Sequence, residues 1–184
     1  MRITTGIYKN RKLFFPQSKD IRPAMDKIKQ CIFNVLGSVV EDAAILDIYA
    51  GCGSLGFEGL SRYGKRVTFI DNHPLAIKSI KKNIELLQVE DKTVVMAMSA
   101  SRALKLIGSK NEQFNLIFLD PPYDKSAVRK ALRQIIEFDI LSTFGWVVIE
   151  HSKREQPEIF EGLTLKNTRN FGATYLSFIQ KAEN

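Results

Sequence analysis

The sequence predicts an α/β domain on a mostly parallel seven-stranded sheet, closed by a C-terminal antiparallel hairpin and preceded by a small N-terminal β-hairpin extension. Three observations predict it. From residue 45 onward, short apolar runs alternate with stretches of helical periodicity, the pattern of parallel strands joined by crossover helices. A glycine-rich turn follows the first run, and an acid ends the second. Beyond residue 150 the alternation stops, and two strand-like runs follow each other without a helix between them.

In chain order, Ile3–Tyr8 and Arg11–Phe15 read as a basic hairpin with Asn10 near its turn. Residues 1–20 are accordingly expected to form the extension and residues 21–184 the main domain. Met25–Leu36 is an amphipathic helix with Met25, Ile28, Ile32, Val35 and Leu36 on its apolar side and Cys31 within it as a core residue. Strands are expected at Ile45–Tyr49, Arg66–Ile70, Thr93–Met96, Phe114–Leu119 and Gly145–Ile149. Helices are expected at Leu55–Arg62, Pro74–Leu87, Ser101–Ile107 and Ser126–Phe138. Pro74 suits a first helical turn, with Asn72 or His73 at the cap. Glu161–Asn167 and Ala173–Gln180 form the closing hairpin, turning through Thr168–Gly172.

With 184 residues the chain supports one substantial core, and 45% apolar with 26% charged residues is an ordinary globular composition. Its apolar runs are strand-sized, so none spans a membrane, and Met1-Arg2 is followed by no apolar signal segment. Cys31 and Cys52 have no metal-ligand or redox spacing, so a reducing cytoplasm is expected. His73 and His151 are isolated, and no metal site is expected. The net charge of +7 is unevenly placed. Residues 1–37 hold eight Lys or Arg against Asp20 and Asp26, whereas the remaining 147 residues hold 19 basic against 18 acidic. A basic block of this kind predicts a polyanionic partner, with Arg2, Lys9, Arg11 and Lys12 as phosphate contacts and Arg22 and Lys27 as RNA-binding residues nearer the cleft mouth.

Two motifs carry chemistry. Asp47-Ile-Tyr-Ala-Gly51-Cys-Gly53-Ser-Leu-Gly56 leaves the first strand and enters the first crossover helix. Its glycines permit a tight turn and close ligand approach, and the helix start offers free N–H donors. Asp71 ends the second strand, 20 residues after Gly51, where an acid accepts from the hydroxyls of a ribose. A phosphate would be repelled by Asp47, which instead suits an ammonium group. S-adenosyl-L-methionine, with a ribose, an amino-acid tail and no phosphate, therefore fits better than a dinucleotide. The second motif is Asp120-Pro121-Pro122-Tyr123. The prolines remove backbone donors and fix φ, leaving Asp120 and nearby carbonyls free to accept hydrogen bonds beside the flat face of Tyr123. Such a corner suits an amino group on a planar ring.

The ordered motifs resemble those of Rossmann-like class I methyltransferases acting on exocyclic amines. Met1-Arg-Ile-Thr-Thr-Gly6-x-Tyr-Lys-x-Arg11-Lys-Leu13, Arg22-Pro23-x-x-Asp26, Ala50-Gly-x-Gly-x-Leu-Gly-x-Glu58-x-Leu-Ser-Arg62 and Gly172-x-x-Tyr175 resemble the RsmD family, bacterial 16S rRNA guanine-N2 methyltransferases, over nearly the whole chain. The resemblance implies that Asp47, Tyr49, Ala50, Gly51, Gly53, Asp71, Asn72, Ser99 and Ala100 hold the cofactor. It implies that Asp120, Pro121, Pro122 and Tyr123 hold a guanine whose N2 is methylated, in 16S rRNA either free or within a partly assembled 30S subunit; nothing in the sequence demands a dimer, and a monomer is expected. The chain departs from the family pattern at Asn10, where glycine is usual, at Ala24-Met25 in place of Thr-Thr, and at Met98-Ser99-Ala100, where Asp or Asn is expected near the adenine. Competing readings are an adenine-N6 DNA methyltransferase, a non-catalytic RNA-binding assembly factor and an NAD-dependent dehydrogenase. The first lacks room for a sequence-reading region, and the last lacks a hydride-transfer constellation.

Overall fold

The computed structural model describes residues 1–15, 26–121 and 125–182. Its elements run α1 Asp26–Leu36, β1 Ala44–Ile48, α2 Ser54–Ser61, β2 Arg66–Asp71, α3 Pro74–Leu87, β3 Thr93–Ala97 and α4 Ala100–Ser109. They continue with β4 Phe114–Leu119, α5 Lys125–Glu137, β5 Leu141–Ser152, β6 Leu163–Phe171 and β7 Thr174–Lys181. The seven strands form one sheet in the order β3-β2-β1-β4-β5-β7-β6. The first five are mutually parallel, and β7 lies antiparallel between β5 and β6.

The strands of the sheet's centre are covered on both faces, which is why they read as continuous apolar runs. Alternate residues feed two separate cores. Ile45, Val67, Phe69, Leu116, Phe118, Val148 and Phe178 pack against α1, α2 and α3 through Phe33, Phe57 and Ile80. Leu46, Ile48, Ile117, Leu119, Ile149 and Ile179 pack against α4 and α5 through Leu104, Leu132 and Ile135.

Three expectations are corrected. β5 starts at Leu141 rather than Gly145, because a register shift between Phe114 and Leu116 accommodates a left-handed Phe144 (φ 59°). β6 continues to Phe171 through residues assigned to a turn, and the reversal occurs at Gly172 (φ 75°). Lys166, Thr168, Arg169 and Asn170 are polar and solvent-facing on this outer strand, so they carry no apolar alternation to read. At the N-terminus, pairing is confined to one bridge, Arg2 with Lys12, flanked by Ile3 N–H to Arg11 O and Leu13 N–H to Met1 O. Residues 5–10 form a bent loop instead of strand, with Gly6 and Asn10 at φ 86° and 68°.

That loop is held by α2. A Cβ on Gly6 would lie 1.7 Å from the Ser61 carbonyl oxygen, so only glycine permits the approach. Ser61 O then accepts from Ile7 N–H, and Ser61 Oγ accepts from Tyr8 N–H. Ile3 and Leu13 are buried in the same core as α1 and α2. Below the loop, fully buried Glu58 accepts from Thr4 N–H (2.9 Å), Thr4 Oγ1–H (2.7 Å), Thr5 N–H (3.0 Å) and Arg62 Nε–H (3.2 Å). Lys29, also fully buried, places Nζ 3.7 Å from Glu58 and donates to the Arg2 carbonyl at 2.6 Å. One of the eight basic residues counted toward a polyanion surface is thus interior. Cys31 is only half-buried, whereas Phe33, absent from the predicted apolar side, is in the core.

Removing one member of a buried ion pair strands the other. Lys29→Met is expected to lower stability in urea denaturation by about 3 kcal/mol, the low end of the range because Arg62 stays beside Glu58. Lys29→Met with Glu58→Gln should recover part of that loss. A double variant no more stable than the single one would contradict the coupling.

Candidate active site

In the sheet order the chain reverses direction between β1 and β4, and open α/β sheets bind ligands at the carboxyl ends of strands beside such a switch point. Both chemistry-bearing motifs emerge there. After β1 the backbone passes through left-handed Tyr49 (φ 62°), Gly51 (φ 59°) and Gly53 (φ 81°) before α2 begins. A Cβ on Gly53 would come within 2.6 Å of the Phe57 ring, and one on Gly56 within 2.4 Å of the Phe69 ring. Packing of α2 on β2 therefore demands Gly56, and the left-handed backbone with the Phe57 ring beside it demands Gly53.

Two acids brace the turn. Asp47 Oδ2 accepts from Gly56 N–H at 2.9 Å, and its side chain is almost wholly buried. Asp71 Oδ2 accepts from Gly51 N–H at 2.9 Å, while Oδ1 accepts from His73 N–H at 2.8 Å. A carboxylate has about four acceptor positions, so Asp71 retains capacity for further donors. His73 caps α3, its Nδ1 accepting from Leu75 N–H.

On the α4–α5 side of the turn lies a cavity of about 250 Å³. It brings together Tyr49, Asp71, Asn72, Ser99 and Ala100 of the expected cofactor residues. Asp47, Ala50, Gly51 and Gly53 lie outside its lining and form the turn beside it. Met98, noted in the sequence as standing where Asp or Asn is expected, lines it too, and sequence reasoning missed Ser101, Lys130 and Gln134. Gln134 Nε2–H donates to Ser101 Oγ at 2.9 Å and ties α5 to α4. The signal was present: Ala127, Lys130, Ala131 and Gln134 share one stripe of α5 at helical spacing, its alanines leaving room above the sheet.

Across the switch point, half-buried Asp120 and Pro121 follow directly on β4. Pro122 and Tyr123 lie outside the described residues, as does Arg22. Burial pushes the Asp120 carboxyl well above the usual range, and the neighbouring charges of Glu150 and Asp47 push it further the same way. Burial likewise raises Glu150 at the end of β5. The Asp47 carboxyl is pushed up to about 8, chiefly by burial and also by Asp71, with the Gly56 N–H opposing.

Arg2, Lys9, Arg11, Lys12 and Lys27 are all exposed, and Arg2 lies 3.9 Å from Asp26. The segment carrying the first four is clasped to the glycine turn by fully buried Asn83 of α3. Its Nδ2–H groups donate to Phe14 O and Cys52 O, and its Oδ1 accepts from Phe14 N–H. Lys27 lines a groove of about 650 Å³ between α1 and β6 together with Arg169, which sequence reasoning also missed.

The strand order with its reversed β7, and the crevice at the switch point, define a class I methyltransferase fold. The model of the family described as conserved hypothetical protein 95 matches residues 1–180. YlbH of Bacillus subtilis is 34% identical over 182 residues, 98% of this chain and 99% of the relative. Ribosomal RNA small subunit methyltransferase D of Escherichia coli strain K12 is 31% identical over 163 residues, 89% of this chain and 77% of the relative. The solved structure of yhhF from Escherichia coli superposes with a TM-score of 0.91 at 25% identity, covering 100% of this chain and 99% of that one. The chain belongs to this family, the RsmD family of the sequence resemblance.

Asp47 has a measurable consequence for the unliganded fold. Its folded-state pKa of about 8 lies above the ordinary 3.8, so the folded chain holds a proton that the unfolded chain releases. The contribution to stability is whole at acid pH and is lost as pH rises toward 8. Denaturation between pH 5 and 8 should show Asp47→Asn losing less stability with rising pH than the parent chain; parallel slopes would contradict the assignment.

Proposed function

We propose that the chain transfers a methyl group from S-adenosyl-L-methionine to the exocyclic N2 of a guanine in 16S rRNA. The observation that carries this reading is the switch-point crevice, with a braced glycine turn and a nucleoside-sized cavity on one side and Asp120-Pro121 on the other. The name of the Escherichia coli relative supports ribosomal RNA as substrate.

The residues present fit the cofactor. Asp71, with spare acceptor capacity beside the cavity, would take the ribose hydroxyls. Asn72, Ser99, Ala100 and Tyr49 would surround the adenosine, and Ala50, Gly51 and Gly53 would let it approach the backbone. Asp47, with its carboxyl at about 8 in the unliganded fold, would ionise when an ammonium group arrives beside it. The bound cofactor supplies a methyl group already activated on a sulfonium.

The chain's own residues position the amine. Asp120 and the Pro121 carbonyl accept its two N–H bonds, holding the nitrogen oriented and electron-rich, and Tyr123 stacks on the base. The amine loses one proton on methylation. Asp120, its carboxyl held above the usual range, is placed to receive it. To reach this corner the guanine leaves its stack. Segment 1–20, as an extension of the domain at 21–184, grips the RNA backbone through Arg2, Lys9, Arg11 and Lys12, with Arg22 and Lys27 nearer the cleft. The protein acts in the cytoplasm as a monomer without a metal, on free 16S rRNA or on a partly assembled 30S subunit.

Asp120→Ala should lower methyl transfer by at least about a hundredfold while leaving S-adenosylhomocysteine affinity within about twofold of the parent by calorimetry. Turnover at the parent rate would remove Asp120 from the mechanism.

A further inference from the structure

The site contains an acceptor that the proposed transfer does not use. Glu150 Oε2 is fully shielded from solvent and has no hydrogen-bond partner among the described residues. A buried carboxylate oxygen without a donor is costly, and such atoms call for an explanation. The strand register locates it. Leu119 of β4 pairs with Ile149 of β5, so Asp120 and Glu150 are the next residues along two neighbouring strands. Glu150 also pairs with Leu176 of β7, a member of the core beneath α1 and α2, which puts its side chain on that face of the sheet. Charge on Glu150 reaches Asp120 strongly enough to raise its carboxyl.

We propose that Glu150 reads the base presented to Asp120, accepting the N1–H of guanine while Asp120 and Pro121 accept at N2. This rests on the methyltransferase reading above and adds to it the source of base selection. Guanine offers adjacent donors, N1–H and the N2 amine, along one edge. Adenine offers its N6 amine beside N1, which is an acceptor, and cytosine offers its N4 amine beside N3, also an acceptor. Asp120-Pro-Pro-Tyr serves any of these amines equally well. A second carboxylate beside it, in its ionised form, serves guanine and sets a lone pair against a lone pair for the other two. Its N1–H is the donor that the Glu150 oxygen lacks in the unliganded protein. The device also separates this site from an adenine-N6 site built on the same four residues.

The test keeps the amine and removes the N1 donor. The guanine methylated by the parent protein is first located, and the RNA is then prepared with 2-aminopurine at that position, which retains the amine but carries a lone pair at N1. The parent should prefer guanine over 2-aminopurine in kcat/KM by about ten- to a hundredfold, the range of a good base contact. Glu150→Ala should erase most of that preference by losing activity on guanine alone, with S-adenosylhomocysteine affinity unchanged by calorimetry. Glu150→Gln, which retains a carbonyl acceptor and the packing, should recover part of it. An Ala variant that keeps the parent's preference, or that loses cofactor affinity in step with activity, would overturn the assignment. If the parent methylates adenine, or nothing, it is the functional reading that fails instead, and nucleoside analysis of the product distinguishes the two.

Discussion

Three carboxylates meet at the site ends of neighbouring strands, Asp47 on β1, Asp120 after β4 and Glu150 on β5, and their crowding away from water is the constraint on which the site depends. Like charges in a poorly hydrated space cannot all ionise cheaply, and all three are pushed toward holding protons. A fold optimised only for stability would place apolar groups here. A ligand set with a cation for Asp47 and N–H donors for the other two would relieve the crowding. The unliganded protein carries electrostatic tension, and the proposed cofactor and base release it.

The rest of the molecule shapes that crevice and, on the proposed reading, would present RNA to it. Asp47 and Asp71 each spend one oxygen on the glycine turn, so the acids that would meet the cofactor also shape its loop. Glu58 and Lys29 tie the first residues of the chain to α1 and α2, and Asn83 ties Phe14 to Cys52 within the turn. Buried ion pairs contribute little net stability compared with apolar packing, so we read this one as fixing geometry. Lys9, Arg11 and Lys12 stay exposed on a segment that Asn83 ties to the glycine turn.

Much of this was legible in the sequence, and for physical reasons. β4 was read at its observed bounds because Phe114–Leu119 is apolar throughout and meets a proline at its end, and α3 because Pro74 and helical spacing mark its limits. Asp71 and Ser99 are singled out by their distance from the glycine turn and by the end of the third strand, and both line one cavity. The outer strand β6 was cut short because solvent faces most of it, and β5 began late because a bulge interrupts its alternation. Lys29 looked like one more surface cation; only the fold reveals that Glu58 waits beneath it. Glu150 was invisible for a related reason. In sequence it is an ordinary acid at the end of a strand, and its meaning depends on the register that sets it beside Asp120. Lys130 and Gln134 needed the packing of α5 over α4 before they could face the cavity.

The central claim, a methyl group delivered to guanine N2 of 16S rRNA, is tested most directly by mapping tritiated methyl incorporation from S-adenosyl-L-methionine. The substrates are 16S rRNA and 30S particles from cells lacking this protein, with DNA alongside. The account predicts label on 16S rRNA in at least one of those two forms, recovered as N2-methylguanosine and absent from DNA. Label recovered as N6-methyladenosine, label on DNA alone, or RNA binding with no S-adenosylhomocysteine released would contradict it.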